Sequence, residues 1–338
     1  MSASLIVILP IVLLGIVGIF CFTGCILDDS GFGKPFNQYS DLTVLSNSNL
    51  VAYWPLSDNL TGTENPAPAL ERQSGIPSSY IDMTTAPELY PWPPFTIPDP
   101  PGPDVVSDGA PGTIAFGQQG LVAGDSKPDL PGVLMPCVVV NGCYVEAPFV
   151  DKLMLPTSFT VEAWVRPDWT SNDPDAWRFV VDGRDVPGKG FALLAKNEDG
   201  QPGVYRWAGF VGNGGSGSEG FSLVTTTEGT ISLGTSDTPA KPVYLALTYD
   251  GLTQLLTLFV DGQQLGQAVA VPYMPNTAQP IWIGAGAPYL PRRPQPDGVL
   301  SSPLFPFVGA MQDVALYSVA LTPADITTHF HNGSGLDP

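Results

Sequence analysis

PVYLALTYDGLTQLLTLFVDGQQLG, residues 242–266, contains two Asp-Gly pairs that split it into three short runs rich in Leu, Val, Thr, Tyr and Phe. Asp250-Gly251 turns at low cost, because glycine accepts a positive φ and aspartate can bond its own backbone. Between the two breaks, Leu256, Leu258 and Val260 fall on one face of an extended chain, and Leu255, Thr257 and Phe259 on the other. Each face is largely apolar, so the run reads as a strand covered on both sides. Asp261-Gly262 matches the two-residue turns whose twist suits antiparallel strands, and residues 263–271 then return beside their partner. Three antiparallel strands are expected. A helix fits poorly, since β-branched and aromatic residues dominate and the breaks interrupt any period of 3.6.

Around this stretch stand FTVEAWVRP at 159–167, WIGAGA at 282–287 and FVGAMQDVALYSVALTPADI at 307–326. Phe159, Val161, Ala163 and Val165 alternate with Thr160, Glu162, Trp164 and Arg166, and Trp164 is expected in the core. Thr322 as N-cap, Pro323 at the first helical position and Asp325 in the first turn announce a short terminal helix. In their order along the chain these segments resemble a laminin-G-like, concanavalin A-like lectin/glucanase domain. The resemblance runs from about residue 50, where VAYWPL at 51–56 looks like the opening strand, to about residue 335. It implies an all-β fold, an antiparallel two-sheet jelly-roll sandwich. It implies far less about activity, because this fold serves lectins, adhesion modules, enzymes and structural parts alike.

Composition agrees with many short strands joined by turns and long loops. The 338 residues include 37 Gly and 37 Pro but only 13 Lys plus Arg. A formal net charge of −19 excludes nucleic acid as a natural partner, since a phosphate backbone would be repelled. Of four cysteines, Cys21 and Cys25 lie in the apolar N-terminus, whereas Cys137 and Cys143 flank VVVNG. An Asn-Gly hairpin would bring the second pair near each other, although a plain two-residue turn sets Cys137 opposite Glu146 instead. Whether they bond stays open.

Residues 1–27 carry no charge, and 5–27 could reach roughly 35 Å as a helix, enough to cross a bilayer. Three readings compete: a cleaved signal, which would want a basic start; a lipoprotein signal ending at Cys25, with Phe22 where leucine is usual; and an uncleaved single-pass anchor. The anchor is expected. Gly15 and Gly18 form a small-residue notch for helix packing, and Asp28 and Asp29 point to a C-terminal bulk outside the cytoplasm, periplasmic or extracellular. Residues 28–49 read as a linker or wrapping arm, and 50–338 as the jelly-roll domain with a proline-rich insertion at about 73–136. There YPWPPFTIPDPPGP offers Tyr90, Trp92 and Phe95 on a stiff, extended backbone suited to partner contact.

Chemistry is sparse. Glucanases of this fold cluster carboxylates in a Glu-x-Asp-x-x-Glu pattern, and no Glu-x-Asp occurs here. Glu146 and Glu162 stand alone, as solvated or salt-bridged strand residues. His329 and His331 are the only histidines and no Gly-x-Ser-x-Gly is found, so an enzyme is not expected. The resemblance suggests that Asp58, after the opening strand, and Asp313, in the last, could meet and hold a structural calcium ion, against a plainer reading as turn-capping acids. Trp92, Trp169, Trp177 and Trp207 lie in loop-like contexts that suit a sugar face or a protein partner. The leading expectation is a non-enzymatic, membrane-anchored accessory or scaffolding subunit of a membrane complex, respiratory or photosynthetic. The alternative is a carbohydrate-binding lectin, with a divergent glycosidase third.

Overall fold

The computed structural model describes residues 39–58, 67–81, 113–127, 130–169, 177–185, 188–198, 204–215, 220–227, 229–234, 238–286 and 305–335. In chain order the strands are β1 (Leu50–Trp54), β2 (Ala67–Ala69), β3 (Ser78–Ile81), β4 (Thr113–Gln118), β5 (Ser126–Lys127), β6 (Leu130–Leu134), β7 (Cys137–Asn141), β8 (Tyr144–Ala147) and β9 (Phe159–Pro167). They continue with β10 (Trp177–Asp182), β11 (Lys189–Asn197), β12 (Tyr205–Asn213), β13 (Phe221–Thr225), β14 (Val243–Asp250), β15 (Leu255–Val260), β16 (Gln263–Val269), β17 (Ile281–Ile283) and β18 (Val308–Tyr317). A helix, α1 (Pro323–Ser334), follows.

Two antiparallel sheets form a sandwich. Sheet A runs β16-β15-β14-β9-β18-β7-β4, with β1 also on β18, and sheet B runs β13-β12-β11-β10-β17-β8-β3-β2. First and last strands are neighbours, with Tyr53 opposite Ala315. The alternation in β9 is what builds the layers. Phe159, Val161, Ala163 and Val165 enter the core between the sheets, while Trp164 enters a second cluster on the outer side of sheet A. In β15 the same division holds, Leu256 and Leu258 facing inward and Phe259 outward.

The Asp261-Gly262 turn joins β15 to β16 with both residues at positive φ, 50° and 75°, and Val260 opposite Gln263. The first Asp-Gly pair opens a longer connection, 251–254, in which the Asp250 carboxylate accepts from Leu252 N–H and the Thr253 hydroxyl. At the C-terminus, Thr322 and Asp325 form a reciprocal capping box on α1, and Gly335 closes it at φ 68°.

The cysteine-flanked VVVNG is not a hairpin. Cys137–Asn141 pairs with β18 and β4 in sheet A, while Tyr144–Ala147 pairs with β17 and β3 in sheet B, so the Asn-Gly pair carries the chain across the sandwich. No disulfide joins the two cysteines. Cys137 is buried and donates to Gln119 O, and burial pushes its thiol up to about 11.

The arm is docked over the part described. Tyr39 and Val44 are fully buried in the outer cluster of sheet A, and the Asp125 carboxylate accepts the N–H groups of Tyr39 and Ser40 at 3.1 Å. No helix among the described residues is long and apolar enough to cross a membrane. The expected anchor at 5–27, with Gly15 and Gly18, lies outside the described residues, as does 82–112 with Tyr90, Trp92 and Phe95.

Candidate functional site

The two outer faces of the sandwich differ in kind. On sheet A, α1 and the arm cover a buried polar hub around Glu162. Its Oε1 accepts from Tyr39 at 3.2 Å and Tyr317 at 2.5 Å, and its Oε2 from Tyr244 at 2.5 Å and His329 Nδ1 at 2.9 Å. Burial would raise the Glu162 carboxyl, but His329 and the tyrosine hydroxyls outweigh it and hold the group below its ordinary 4.5. Burial likewise pushes His329 down, and the Glu162 charge outweighs this and holds the ring above 6.5. Desolvation, then the carboxylate, raises all three tyrosines, which therefore remain donors. With every partner supplied from within, this hub is a clamp for α1 and the arm.

Asp58 and Asp313 have separate partners. Asp58 Oδ2 accepts from the Tyr80 hydroxyl at 2.8 Å and Leu70 N–H at 3.2 Å. Asp313, at φ 53° in a bulge of β18, accepts from the Tyr53 hydroxyl, and burial and then the Asp125 charge raise its carboxyl well above 3.8. No group of three or more His, Cys, Asp or Glu suited to a metal occurs among the described residues.

Two of the candidate tryptophans belong to the core. Trp169, just past β9, packs edge-on against Tyr205 and Phe307, each with ring centres 5.4 Å away, and Trp207 is 4 % exposed on the inward face of β12. Both correct the loop-contact expectation, for burial leaves no ring face to a ligand. Trp177 is different. It opens β10 half-buried on the outer face of sheet B, 5.9 Å from Phe179.

That outer face carries a row that crosses three strands. Trp177 stands directly opposite Lys196 of β11, and Lys196 directly opposite Arg206 of β12. Facing pairs share one side of a sheet, and adjacent strands lie about 4.8 Å apart, so the row spans about 10 Å. Beside it opens a polar cleft lined by Lys196, Asn197, Glu198, Arg206, Thr225, Thr226 and Thr227. Arg206 donates to Thr226 O at 3.2 Å and pairs with Glu198 at 3.2 Å, a bridge one-quarter to one-third exposed.

Four residues further along β12, about 13 Å away at ~3.3 Å per residue, the same face becomes aromatic. Phe221, 40 % exposed, stacks on Phe210, and the Arg184 guanidinium lies 5.3 Å over Phe210 and 4.5 Å over Phe179. Asp182 fixes that guanidinium through two bonds of 2.8 and 2.7 Å. Phe179 is 1 % and Phe210 5 % exposed, so the ring surface at this end is that of Phe221, and the cleft itself offers hydroxyls, an amide and two cations, groups that hold a polar ligand. The lysine and arginine of the row went unnoticed in the sequence, although KNED at 196–199 and YRW at 205–207 would align once a hairpin between β11 and β12 is assumed.

Two antiparallel sheets packed face to face define the class, a jelly-roll β-sandwich. The chain belongs to the Concanavalin A-like lectin/glucanases superfamily, whose match covers residues 141–327, more than half of its length. No curated protein matches it. Among solved structures it is similar to the binding domain of botulinum neurotoxin DC, in complex with SialylT, at 12 % identity and a TM-score of 0.44, over 84 % of this chain and 51 % of that one. The chain thus spans about half the length of that toxin domain. It is similar also to the CBM40 of the Ruminococcus gnavus IT-sialidase bound to alpha2,6 sialyllactose, at 11 % identity and a TM-score of 0.38, over 52 % and 84 %. A third likeness is the native heptameric SAP-like pentraxin from Limulus polyphemus, at 14 % identity and a TM-score of 0.36, over 52 % and 70 %. Likeness at this level says nothing of what this chain binds.

Proposed function

We propose that the chain is a non-enzymatic carbohydrate-binding, lectin-like module that receives sugar on the outer face of sheet B. The observation that carries this reading is the row Trp177, Lys196 and Arg206 beside a cleft lined by threonines and Asn197. A half-buried indole offers an apolar ring face, and flanking hydroxyl, amide and guanidinium groups suit sugar hydroxyls. Membership of a superfamily that joins lectins and glucanases supports the same ligand class. The non-enzymatic part of the reading rests on the sequence, which holds no Glu-x-Asp of the kind that glucanases of this fold use. We place the module outside the cytoplasm, on the strength of the apolar 5–27 and of Asp28 and Asp29.

The test is a glycan array probed with the full chain in detergent, with and without calcium. At least one glycan should be retained, and Trp177→Ala should weaken it by about three- to tenfold, the worth of an aromatic contact. Retention of no glycan under either condition overturns the reading, and turnover of a bound glycan overturns its non-enzymatic part. A gain in affinity with calcium would revive Asp58 and Asp313 as ligands. The accessory-subunit reading rests on residues 5–27 and 90–103, outside the described residues, and stoichiometric co-purification of membrane proteins is its measure.

A further inference from the structure

We infer that the sugar site on sheet B is elongated and takes a stretch of a linear oligosaccharide, laid along β13 from the cleft to Phe221, in preference to a single terminal sugar. This rests on the reading of that face as a sugar site. Side chains alternate along a strand, so Phe221, Leu223 and Thr225 fall on the outer side of β13 while Val224 enters the core. The alternation runs on past the strand, where Thr226 N–H still donates to Trp207 O of β12 and Thr226 is buried, which leaves Thr227 outward. Thr225 and Thr227 line the cleft, whose volume of about 520 Å³ is in the range that takes a drug-sized ligand, more than one sugar ring fills. From there half-buried Leu223 continues the strip, and Phe221 ends it about 20 Å from Thr227 at ~3.3 Å per residue.

Phe221, 40 % exposed, is the one exposed aromatic side chain among the described residues. A lone exposed ring is ordinary on a protein surface. This one, however, continues a strip that starts in the cleft, and it is held in place. It stacks on Phe210 at 5.4 Å and 23°, and the guanidinium that lies over Phe210 is itself fixed by Asp182. A ring positioned in advance binds at low entropic cost, and the apolar face of a sugar can pack on it. The two ends therefore ask different things of a ligand. Hydroxyl, amide and guanidinium groups in the cleft hold one sugar, whereas Phe221 adds affinity only for a chain long enough to reach it.

The experiment is titration calorimetry of the full chain in detergent with linear gluco-, manno-, xylo- and N-acetylglucosamine oligosaccharides, each from monosaccharide to hexasaccharide. In the series that binds, affinity should rise with length and level off near the tetrasaccharide, with the tetrasaccharide about three- to tenfold tighter than the disaccharide, the worth of one aromatic contact. Phe221→Ala should bring that ratio to about one, and Phe221→Tyr, which keeps the ring, should preserve it. Thr225→Val should weaken every length and leave the ratio as it is. Equal affinity for monosaccharide and tetrasaccharide overturns the inference and leaves the sugar reading standing. A length dependence that survives Phe221→Ala overturns the assignment of its far end, and loss of the ratio in Phe221→Tyr as well overturns the role of the ring. Failure of every linear series, with some glycan retained on the array, overturns the inference alone, and retention of no glycan overturns both.

Discussion

Glu162 sits on the central strand of sheet A with both oxygens occupied by donors from four other parts of the chain: Tyr39, Tyr244, Tyr317 and His329. Breaking a buried ion pair leaves a charge without compensation, so Glu162→Ala should cost about 3–5 kcal/mol in urea unfolding. The charge component depends on pH in a definite sense. Because the folded Glu162 lies below 4.5, its contribution is present above that value and is lost as pH falls through the folded one. Because the folded His329 lies above 6.5, its contribution is present below that value and is lost as pH rises through the folded one. The pair therefore stabilises fully between about 4.5 and 6.5. Comparison of the chain with His329→Gln at pH 5.5 and pH 9 should show a larger stability difference at pH 5.5. An equal difference at both values would mean the ring acts by packing and neutral hydrogen bonding alone. The comparison also cancels Asp313, whose raised carboxyl destabilises increasingly as pH rises above 3.8 in both proteins. In the sequence Glu162 and His329 are 167 positions apart, and nothing local to either names the other. The alternation of β9 could place Glu162 opposite the core residues, but not what lay above it.

At the scale of elements, legibility followed the range of the interaction that decides each one. The turn Asp261-Gly262 is decided by its own two residues, and it formed as expected. Gly262 has φ 75°, and an added Cβ would sit 3.0 Å from Phe330 of α1. Gly262→Ala should therefore destabilise by at least about 1–2 kcal/mol, the penalty of left-handed backbone for a residue with a Cβ, as thermal unfolding would register. The same Asn-Gly logic misled at 141–142. There the pairing is decided by β18 and β4 on one side and β17 and β3 on the other, partners that no turn dipeptide can announce. The capping box on α1 is again local, and Thr322→Ala should cost about 1 kcal/mol in the same measurement. The candidate site lies between these extremes. Lys196 and Arg206 meet through the simple register of neighbouring β11 and β12, but Trp177 joins them only once β10 is aligned past an irregularity between Phe179 and Val181.

At the scale of the described domain, the two outer faces divide the work. The outer face of sheet A is closed by the chain itself: α1 from one end and the arm from the other converge on Trp164 and Glu162. Tyr39 meets Trp164 edge-on at 6.1 Å, and Phe330 stacks on it at 6.0 Å. Sheet B keeps the cleft open to solvent. This arrangement predicts that the arm can be released without disturbing the outer face of sheet B. Asp125, 1 % exposed, is the acceptor for two backbone N–H groups at the arm's entry, Tyr39 and Ser40. Removing it leaves those donors unsatisfied at about 1–3 kcal/mol each, a penalty the arm can escape by opening locally to water. In Asp125→Ala, amide hydrogen exchange should therefore accelerate over residues 39–45 while β11 and β12 keep their protection and glycan affinity stays within about twofold, since distant sites act independently. Uniform loss of protection across both sheets would show instead that the arm is part of the cooperative core.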